Sequence, residues 1–351
     1  MSGLLVTGGA GFIGANFVPY WHRHHPEDLV VVLDALRYAG NLANLAPVIR
    51  QPWFRFVHGS ILDCQLVIDL LRQEKLDKIV HFAAESHVDR SIQTPQVFVE
   101  TNISGTHSLL MAAREVWLNA ASGGPVPHRF HHVSTDEVYG SLGPSEPAVN
   151  ESAPYRPNSP YAASKAASDH LVRAYHVTYG LQTTISYCSN NYGPMQFPEK
   201  LIPLTLGNML RAKAVPIYGD GSNIRDWLYV EDHCQGIALI LERGSAGSTY
   251  NISAQEESSN IALVRRLGYL LDECFDQDRR LAVRFPRAAR SQGRTSDALI
   301  TFVSDRPGHD WRYALDASKI RDQLDFRPRI DLDSGLRQTI AWILDHSNEG
   351  D

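Results

Sequence analysis

The stretch Thr7-Gly8-Gly9-Ala10-Gly11-Phe12-Ile13-Gly14 joins two segments with different hydrophobic patterns. The short apolar run Leu4–Thr7 leads into it and predicts a buried strand, whereas Phe12–Arg23 is amphipathic and predicts a helix. The glycines at positions 8, 11 and 14 allow a tight turn, the close approach of a pyrophosphate and close packing of the helix on the strand. The helix N-terminus adds N–H donors and a positive dipole. The stretch therefore predicts a strand–turn–helix unit that binds a dinucleotide.

A carboxylate stands where such a unit would contact a ribose. Asp34 closes the next apolar run, Leu29–Leu33, and lies 20 residues beyond Gly14. A carboxylate there accepts a hydrogen bond from a ribose 2′-hydroxyl and repels a 2′-phosphate, which favours NAD over NADP. Arg37 lies close by and keeps NADP open, because an arginine near this position can bind the phosphate. We expect NAD as the cofactor.

The rest of the chain continues the alternation of short apolar runs and longer amphipathic stretches. Strands are predicted at Phe54–Val57, Lys78–His81, Arg129–Val133 and Thr183–Tyr187, and helices at Gln65–Gln73, Val97–Val116 and Tyr161–Tyr179. This order predicts an α/β fold with a Rossmann-like, doubly wound parallel sheet, covered by helices on both faces. We expect residues 1–190 to form the NAD-binding domain. Residues 191–351 are expected to form mainly a smaller α/β substrate domain, with a segment near 228–243 returning to the main sheet.

The composition excludes several classes of protein. Of 351 residues, 43% are hydrophobic, and 39 acidic side chains outnumber 33 basic ones, giving a net charge of −6. This balance argues against a nucleic-acid partner, so an anionic ligand would need a local basic pocket. The four cysteines are widely spaced and fit neither a disulfide framework nor a zinc site, so no metal is expected. No apolar run approaches the ~20 residues that cross a bilayer, and we expect a cytoplasmic protein without a membrane partner.

Two groups of polar residues point to catalysis. Tyr161 and Lys165 are four residues apart at the start of a predicted helix, and thus on one face. An ammonium beside the phenol would lower the pKa of Tyr161 and make it a general base. Asp136 and Glu137 follow the strand Arg129–Val133 at the sheet edge where such folds bind ligands. Two carboxyls in one crevice can be driven to different pKa values, leaving one acid and one base.

These motifs together resemble the extended short-chain dehydrogenase/reductases and, within them, the dTDP-glucose 4,6-dehydratase family. The similar segments run through nearly the whole chain: 7–14, 38–41, 81–91, 131–140, 159–170, 189–203, 217–233 and 305–310. The adjacent pair Asp136 and Glu137 is the most specific of them, since related epimerases share the Tyr161/Lys165 arrangement but usually lack the pair.

The resemblance implies a redox-neutral lyase that holds NAD tightly. Tyr161, assisted by Lys165 and Thr135, would take the proton from the sugar O4 while the C4 hydride passes to NAD. Glu137 would then remove the C5 proton and Asp136 would protonate the departing C6 hydroxyl, before hydride returns to C6. The reaction converts dTDP-glucose to dTDP-4-keto-6-deoxyglucose for deoxysugar biosynthesis.

The resemblance also implies the binding residues and the assembly. Cofactor contacts are expected from Gly8, Gly11, Phe12, Ile13, Gly14, Asp34, Ser60, Ile61, Ala83, Ala84, Thr101, Tyr161, Lys165 and Asn191. The nucleotide sugar is expected to contact Ser86, Asn190, Lys200, Leu201, Pro216, Tyr218, Arg225, Asn260, Arg306 and His309. A homodimer is implied through the helices Val97–Val116 and Tyr161–Tyr179.

The sequence departs from the family pattern at three places. Ser60 replaces a usual aspartate near adenine, Met195-Gln196 replaces a common Tyr-His, and Phe326 replaces a common tryptophan.

Two other kinds of function are alternatives to the dehydratase. The first is a dehydratase, epimerase, decarboxylase or net oxidoreductase acting on a UDP- or GDP-linked sugar, and the second is a noncatalytic NAD-sensing or scaffolding protein. The sequence alone does not decide between thymidine and uridine.

Overall fold

The architecture is taken from a computed structural model that describes residues 2–119 and 126–347. The strands are β1 (Gly3–Thr7), β2 (Leu29–Asp34), β3 (Phe54–His58), β4 (Lys78–His81), β5 (Arg129–Thr135), β6 (Thr183–Cys188), β7 (Asn190–Tyr192), β8 (Val215–Tyr218), β9 (Ile224–Tyr229), β10 (Thr249–Ile252), β11 (Glu257–Ser259) and β12 (Ile300–Val303). The helices are α1 (Phe12–His24), α2 (Cys64–Gln73), α3 (Val88–Gln93), α4 (Pro95–Phe98), α5 (Thr106–Trp117), α6 (Pro160–Tyr179), α7 (Leu201–Leu210), α8 (Val230–Arg243), α9 (Asn260–Gln277), α10 (Arg280–Arg284), α11 (Ser318–Leu324) and α12 (Leu332–His346).

Seven of these strands form one parallel sheet in the order β10-β6-β5-β4-β1-β2-β3. Val6 of β1 is in register with Val32 of β2 on one side and with Val80 of β4 on the other. The chain therefore winds outward from β1 in one direction and then from β4 in the other, which opens a crevice at the carboxyl ends of β1 and β4. The predicted fold class is confirmed, and the six strands predicted for this sheet agree with the observed bounds within two residues.

Helices cover both faces of this sheet because its strands are apolar on both sides. Leu5 belongs to a buried cluster packed with α2, α5 and α6, whereas Leu4 and Val6 belong to a second cluster packed with α1 and α8. Alternate residues of a strand point to opposite faces, so one apolar run serves both layers. This arrangement holds the strand ends, and the polar residues just beyond them, in a rigid frame.

The helix predicted over Val97–Val116 is not a continuous α-helix. A π-helical segment, Val99–Gly105, separates α4 from α5. Asn102 lies in this segment and is buried; its side chain accepts a hydrogen bond from the Glu85 amide and donates to Ser164 Oγ at 2.8 Å. Wider π turns of this kind are frequent at functional sites. The interruption turns Asn102 toward the loop after β4 and the helix α6.

Of the segment near 228–243 that is predicted to return to the main sheet, the helix α8 packs on that sheet, but no strand of the segment pairs with it. Within the predicted segment near 228–243, the strand β9 pairs with β7 and β11 in a separate three-stranded sheet, and α8 packs against α1. The returning strand is β10, which pairs with β6 at the sheet edge. A third buried cluster, built from α7, α9 and α12, supports the three-stranded sheet and the β8–β12 pair.

Candidate active site

The glycine turn after β1 forms a cradle that side chains would fill. Gly8 has φ 71°, and a Cβ placed on it would lie 2.6 Å from the Ala83 amide nitrogen. A Cβ on Gly14 would lie 2.5 Å from the Gly8 carbonyl oxygen. Both contacts are with backbone atoms that cannot move aside, so only glycine fits at either position. The backbone can therefore approach a ligand closely at the N-terminus of α1, as dinucleotide binding requires.

Asp34 lies at the wall of the same cleft. Its Oδ2 accepts a hydrogen bond from the Ala10 amide at 2.9 Å and its Oδ1 accepts one from the Leu36 amide at 2.8 Å. Burial raises the pKa of Asp34, and these two amides partly offset that rise. The hydrogen bonds fix the carboxylate beside the glycine turn, where it suits a ribose hydroxyl and disfavours a phosphate.

The cleft brings together every residue expected to contact the cofactor. Gly8, Gly11, Phe12, Ile13, Gly14, Asp34, Ser60, Ile61, Ala83, Ala84, Thr101, Tyr161, Lys165 and Asn191 all line it. Thr135, Asp136, Glu137, Ser86, Asn190 and Lys200 line it as well. Among the described residues, no group of three or more His, Cys, Asp or Glu side chains is arranged to hold a metal ion.

Tyr161 is fixed by the way α6 begins. Ser159 caps the helix by accepting a hydrogen bond from the Ala162 amide at 3.0 Å, and Pro160 occupies the first turn. The sequence predicts that Lys165 lowers the pKa of Tyr161, but the largest effects on that pKa in the structure come from other groups. Burial raises the pKa of Tyr161, the Glu137 charge raises it further, and a hydrogen bond with Thr135 lowers it. Lys165 Nζ instead donates to the Val133 carbonyl at 2.8 Å.

The two adjacent carboxyls lie in a short 3-10 turn directly after β5, where Thr135 Oγ1 accepts a hydrogen bond from the Glu137 amide. Burial raises the pKa of Asp136 well above its ordinary value, and the charges of Glu137 and Asp226 raise it further. In the described part of the chain, Asp136 Oδ2 has no hydrogen-bond partner. These surroundings favour the protonated form of Asp136, whose Oδ2 is left without a partner there.

Glu137 lies among cations. Burial raises its pKa, but Arg306, Arg225 and Lys200 lower it, in that order. These three positive charges favour the ionised form of Glu137, whereas the neighbours of Asp136 favour its protonated form. The pair therefore has the unequal acidity that an acid and a base require.

The predicted substrate residues divide into two groups. Ser86, Asn190 and Lys200 line the cleft, and Lys200 Nζ donates to the Ser86 carbonyl. The remaining seven, Leu201, Pro216, Tyr218, Arg225, Asn260, Arg306 and His309, lie outside the cleft lining. Leu201 begins α7, Pro216 lies in β8 and Asn260 begins α9.

Two of that second group, Arg306 and Tyr218, contact the carboxylate of Asp89, and His309 packs beside Tyr218. Arg306 Nη1 lies 3.2 Å from Asp89 Oδ1, the Tyr218 hydroxyl donates to Asp89 Oδ2 at 3.5 Å, and the Tyr218 ring meets His309 edge-on. Arg225 is buried over the Tyr313 ring and donates to backbone carbonyls of Ile224, Asp310 and Trp311. Arg225 thus contributes its charge to the pocket from a fixed position.

Sequence reasoning missed two side chains behind the cleft, His132 and Asp169. His132 and its strand neighbour His131 are both completely buried. His131 hydrogen-bonds Thr184 and Ser186, while His132 turns to the opposite face, toward Lys165. A signal was present, because Asp169 follows Lys165 by four residues and therefore shares its helix face.

The comparisons with known proteins agree with this geometry. A family model described as GDP-mannose 4,6 dehydratase matches residues 5–339. The dTDP-glucose 4,6-dehydratase of Neisseria meningitidis serogroup B is 49% identical over 346 residues, covering 99% of this chain and 94% of the relative. The dTDP-glucose 4,6-dehydratase of Haemophilus influenzae is 47% identical over 348 residues, covering 99% of both chains.

Solved structures extend the comparison. The dTDP-glucose 4,6-dehydratase DesIV from Streptomyces venezuelae, crystallised with NAD and TYD bound, has a TM-score of 0.84 and 47% identity, covering 98% of this chain and 97% of its own. A UDP-glucose 4-epimerase from Thermotoga maritima has a TM-score of 0.80 at 25% identity, covering 98% and 99%.

The fold, the glycine cradle and the Tyr161/Lys165 helix together define an extended short-chain dehydrogenase/reductase. Within that class, the adjacent acids and the near full-length matches narrow the assignment. The chain belongs to the dTDP-glucose 4,6-dehydratase family. Among the described residues, no helix is both long and apolar enough to cross a membrane.

Proposed function

We propose that this protein is an NAD-dependent lyase that dehydrates dTDP-glucose to dTDP-4-keto-6-deoxyglucose, in deoxysugar biosynthesis. The observation that carries the proposal is the pair Asp136 and Glu137, with unequal acidity, in the same cleft as Tyr161 and a dinucleotide cradle. Relatives that are 47–49% identical over almost the whole chain favour a dTDP-sugar over a UDP- or GDP-sugar. In this proposal residues 1–190 mainly bind NAD and residues 191–351 mainly bind the nucleotide sugar.

The residues of the cleft fit NAD. Gly8 and Gly14 leave room for a pyrophosphate at the N-terminus of α1, and Asp34 stands ready for a ribose hydroxyl. Ser60 and Ile61 would lie near the adenine, and Ala83, Ala84, Thr101 and Asn191 near the nicotinamide. When bound, NAD accepts the hydride from C4 of the sugar and later returns it to C6.

Tyr161 takes the proton from the sugar O4, assisted by Thr135 and Lys165. The hydrogen bond from Thr135 lowers the pKa of Tyr161, while burial and the charge of Glu137 raise it. The phenol therefore needs the positive charge of Lys165 to become a base at neutral pH. The ketone formed at C4 then acidifies the proton at C5.

Glu137 removes the C5 proton and Asp136 gives a proton to the C6 hydroxyl, which leaves as water. Glu137 returns its proton to C5 when C6 is reduced. At the end of the reaction, Tyr161 has therefore gained one proton and Asp136 has lost one. Thr135, which bonds Tyr161 and donates to Asp136 Oδ1 at 3.3 Å, offers a route that restores both before the next turnover.

The nucleotide diphosphate is proposed to bind beside Glu137. Lys200, Arg225 and Arg306 concentrate positive charge there although the whole chain carries −6. Ser86 would contact the sugar, and the remaining contacts would come from Asn190, Leu201, Pro216, Tyr218, Asn260 and His309. Discrimination of thymidine from uridine rests on one methyl group, which is worth about 1–3 kcal/mol in an apolar pocket.

A substrate deuterated at C4 tests the proposal. We expect the label at C6 of the same molecule, because the hydride removed from C4 is the one returned. An epimerase would return the label to C4, and a net oxidoreductase would release it on the cofactor, so either result would exclude dehydration. Turnover of none of dTDP-, UDP- and GDP-glucose, with NAD still bound, would support a noncatalytic role.

We also propose that the protein is a cytoplasmic homodimer. Exposed apolar side chains, including Val99, Met111, Val177 and Tyr179, lie on the π-helical segment and on α5 and α6, which suits an interface of packed helices. All four cysteines lie in the described residues and form no disulfide, as expected in a reducing compartment. Light scattering that gives a monomer at working concentration, or fractionation that finds the protein outside the cytoplasm, would contradict the respective proposal.

A further inference from the structure

A buried ionic cluster lies behind the cleft, on the same face of α6 as Tyr161. Tyr161, Lys165 and Asp169 follow one another at intervals of four residues. Asp169 is 1% exposed and His132, on β5, is 0% exposed. A carboxylate is almost never buried to this degree unless it is paired. Asp169 therefore needs an interaction that compensates for the loss of water.

The distances show how the cluster is joined. Lys165 Nζ donates to the Val133 carbonyl at 2.8 Å and lies 3.3 Å from His132 Nε2. The same Nε2 lies 3.2 Å from Asp169 Oδ1, and Ser134 Oγ donates to Asp169 Oδ2 at 2.8 Å. One imidazole nitrogen thus stands between an ammonium and a carboxylate.

We propose that Asp169 is the counter-ion that keeps Lys165 protonated and holds its ammonium beside Tyr161, while the neutral imidazole of His132 accepts a hydrogen bond from that ammonium. Asp169 and His132 are then positioning residues for the proton transfer at Tyr161. This inference rests on the proposed function, since it assigns Lys165 a charge that the reaction needs. It adds two residues that touch neither sugar nor cofactor in that scheme.

The electrostatics of the cluster follow from burial and from this pairing. Burial lowers the pKa of Lys165 to about 8, and the charge of Asp169 opposes that fall. Burial raises the pKa of Asp169 to about 6, and the charge of Lys165 opposes that rise. Burial and Lys165 together keep His132 neutral by lowering its pKa. Removing the carboxylate would leave a buried cation without its partner, so Lys165 would lose its proton at a lower pH.

Other titratable groups face this cluster, but among the described residues Asp169 is the carboxylate whose charge acts on Lys165 most strongly. They are His81 on β4, Asp136 after β5, Tyr187 and Cys188 on β6, Tyr139 and Tyr155 before α6, and His170 on α6. Of these, Cys188 has its pKa raised to about 12 by burial and is a neutral thiol at physiological pH. Burial and the negative charges of Glu137 and Asp226 raise the pKa of Asp136, which favours its neutral form.

The pH dependence of turnover by the full-length enzyme tests the role of Asp169. We expect Asp169→Asn to move the alkaline limb of the kcat profile to lower pH by about 1–3 units, the effect typical of losing an adjacent opposite charge. The KM for dTDP-glucose should stay unchanged. Asp169→Glu keeps the charge and should restore most of the wild-type profile. His132→Asn removes the imidazole that accepts a hydrogen bond from Lys165 Nζ, which disfavours the charged ammonium, and should shift the same limb in the same direction.

His131→Asn is the matched control. His131 is the strand neighbour of His132 and equally buried, but it bonds Thr184 and Ser186 on the other face. It should leave the alkaline limb in place. Thermal melting and NAD content of each variant report folding independently of turnover.

A second measurement does not depend on activity. Lys165 is one of six lysines in the chain, so its titration can be followed by NMR in protein labelled at lysine. We expect its pKa to fall in Asp169→Asn and in His132→Asn. An unmoved Lys165 titration, or a loss of kcat that is equal at every pH, would overturn the inference. A wild-type enzyme that titrates as expected but does not dehydrate dTDP-glucose would instead overturn the proposed function.

Discussion

Replacing Glu137 by glutamine removes the proposed C5 base with little change in shape. The 3-10 turn that carries Glu137 is held by its backbone amide, which donates to Thr135, so the turn should persist in the variant. Glutamine has almost the same volume as glutamate but cannot accept a proton. Because Arg306, Arg225 and Lys200 lose a neutralising charge, the pocket becomes more positive, and we expect binding of the nucleotide diphosphate to be retained or strengthened.

The expected loss lies in the elimination step. A positioned general base contributes about 10²–10⁴-fold to a rate, which at 1.36 kcal/mol per tenfold corresponds to about 3–5 kcal/mol of transition-state stabilisation. We therefore expect kcat of Glu137→Gln to fall by that factor while KM stays equal or decreases. Oxidation at C4 needs Tyr161 rather than Glu137, so reduced nicotinamide should accumulate in a single turnover.

Rapid-scanning absorbance measures that accumulation, and exchange of the C5 proton with deuterated solvent measures the missing step. Glu146→Gln, which changes an exposed carboxylate in the loop before α6, is the matched control and should behave as wild type. Full dehydratase activity in Glu137→Gln would refute the assignment of the base. Blocked oxidation at C4 with no reduced nicotinamide would show that Glu137 acts at an earlier step.

Three further changes test other parts of the molecule. Tyr161→Phe removes the O4 proton acceptor, so kcat should fall by about 10²-fold or more without reduced nicotinamide; a normal rise in that species would contradict the role of Tyr161. Gly14→Ala puts a Cβ 2.5 Å from the Gly8 carbonyl; we expect weaker NAD binding in calorimetry and a loss of about 1–3 kcal/mol in stability, and unchanged NAD affinity would refute the cradle. Burial raises the pKa of Asp226 to about 6, above the unfolded value of 3.8, so the protonated form stabilises the fold below 3.8 and this stabilisation is lost as pH rises through 6. Asp226→Asn lacks this titration. As the pH rises from below 3.8 to above 6, its free energy of unfolding in denaturant melts should therefore increase relative to that of the wild type by on the order of 3 kcal/mol. An equal pH dependence of the two proteins would exclude Asp226 as the cause.

The main sheet was predictable because its determinants are local. Apolar runs of four to seven residues specify the strands, and the glycine turn specifies the point where β1 becomes α1. The π-helical segment Val99–Gly105 was not predictable in this way. Its geometry depends on the bonds of Asn102 to Glu85 and Ser164, which come from a loop and a helix distant in sequence. Hydrophobic periodicity carries no record of such contacts.

The position of the cofactor cleft follows from local sequence, whereas the surroundings of the pocket beside it depend on distant parts of the chain. Parallel strands end at one edge of the sheet, so the residues that end them, such as Asp34 and Thr135, lie along the same crevice. The surroundings of Arg225 depend instead on the chain returning at 310–311, where its carbonyls take the guanidinium donors. The burial of Asp169 likewise required knowledge of which face of β5 carries His132. Sequence therefore located the groups, and tertiary packing set their protonation.

The acid–base pair shows how tertiary packing affects the reaction. Asp136 and Glu137 are adjacent in one short turn, so their local sequence gives no reason for them to differ in acidity. Burial raises both pKa values, and the later part of the chain then adds charges that separate them: Asp226 on β9 raises the pKa of Asp136 further, whereas Arg306, Arg225 and Lys200 lower that of Glu137. All four groups lie beyond residue 190. The region proposed to bind the nucleotide sugar thus also decides which carboxyl gives a proton and which takes one, so changes made there to alter substrate preference should alter the pH dependence of elimination as well.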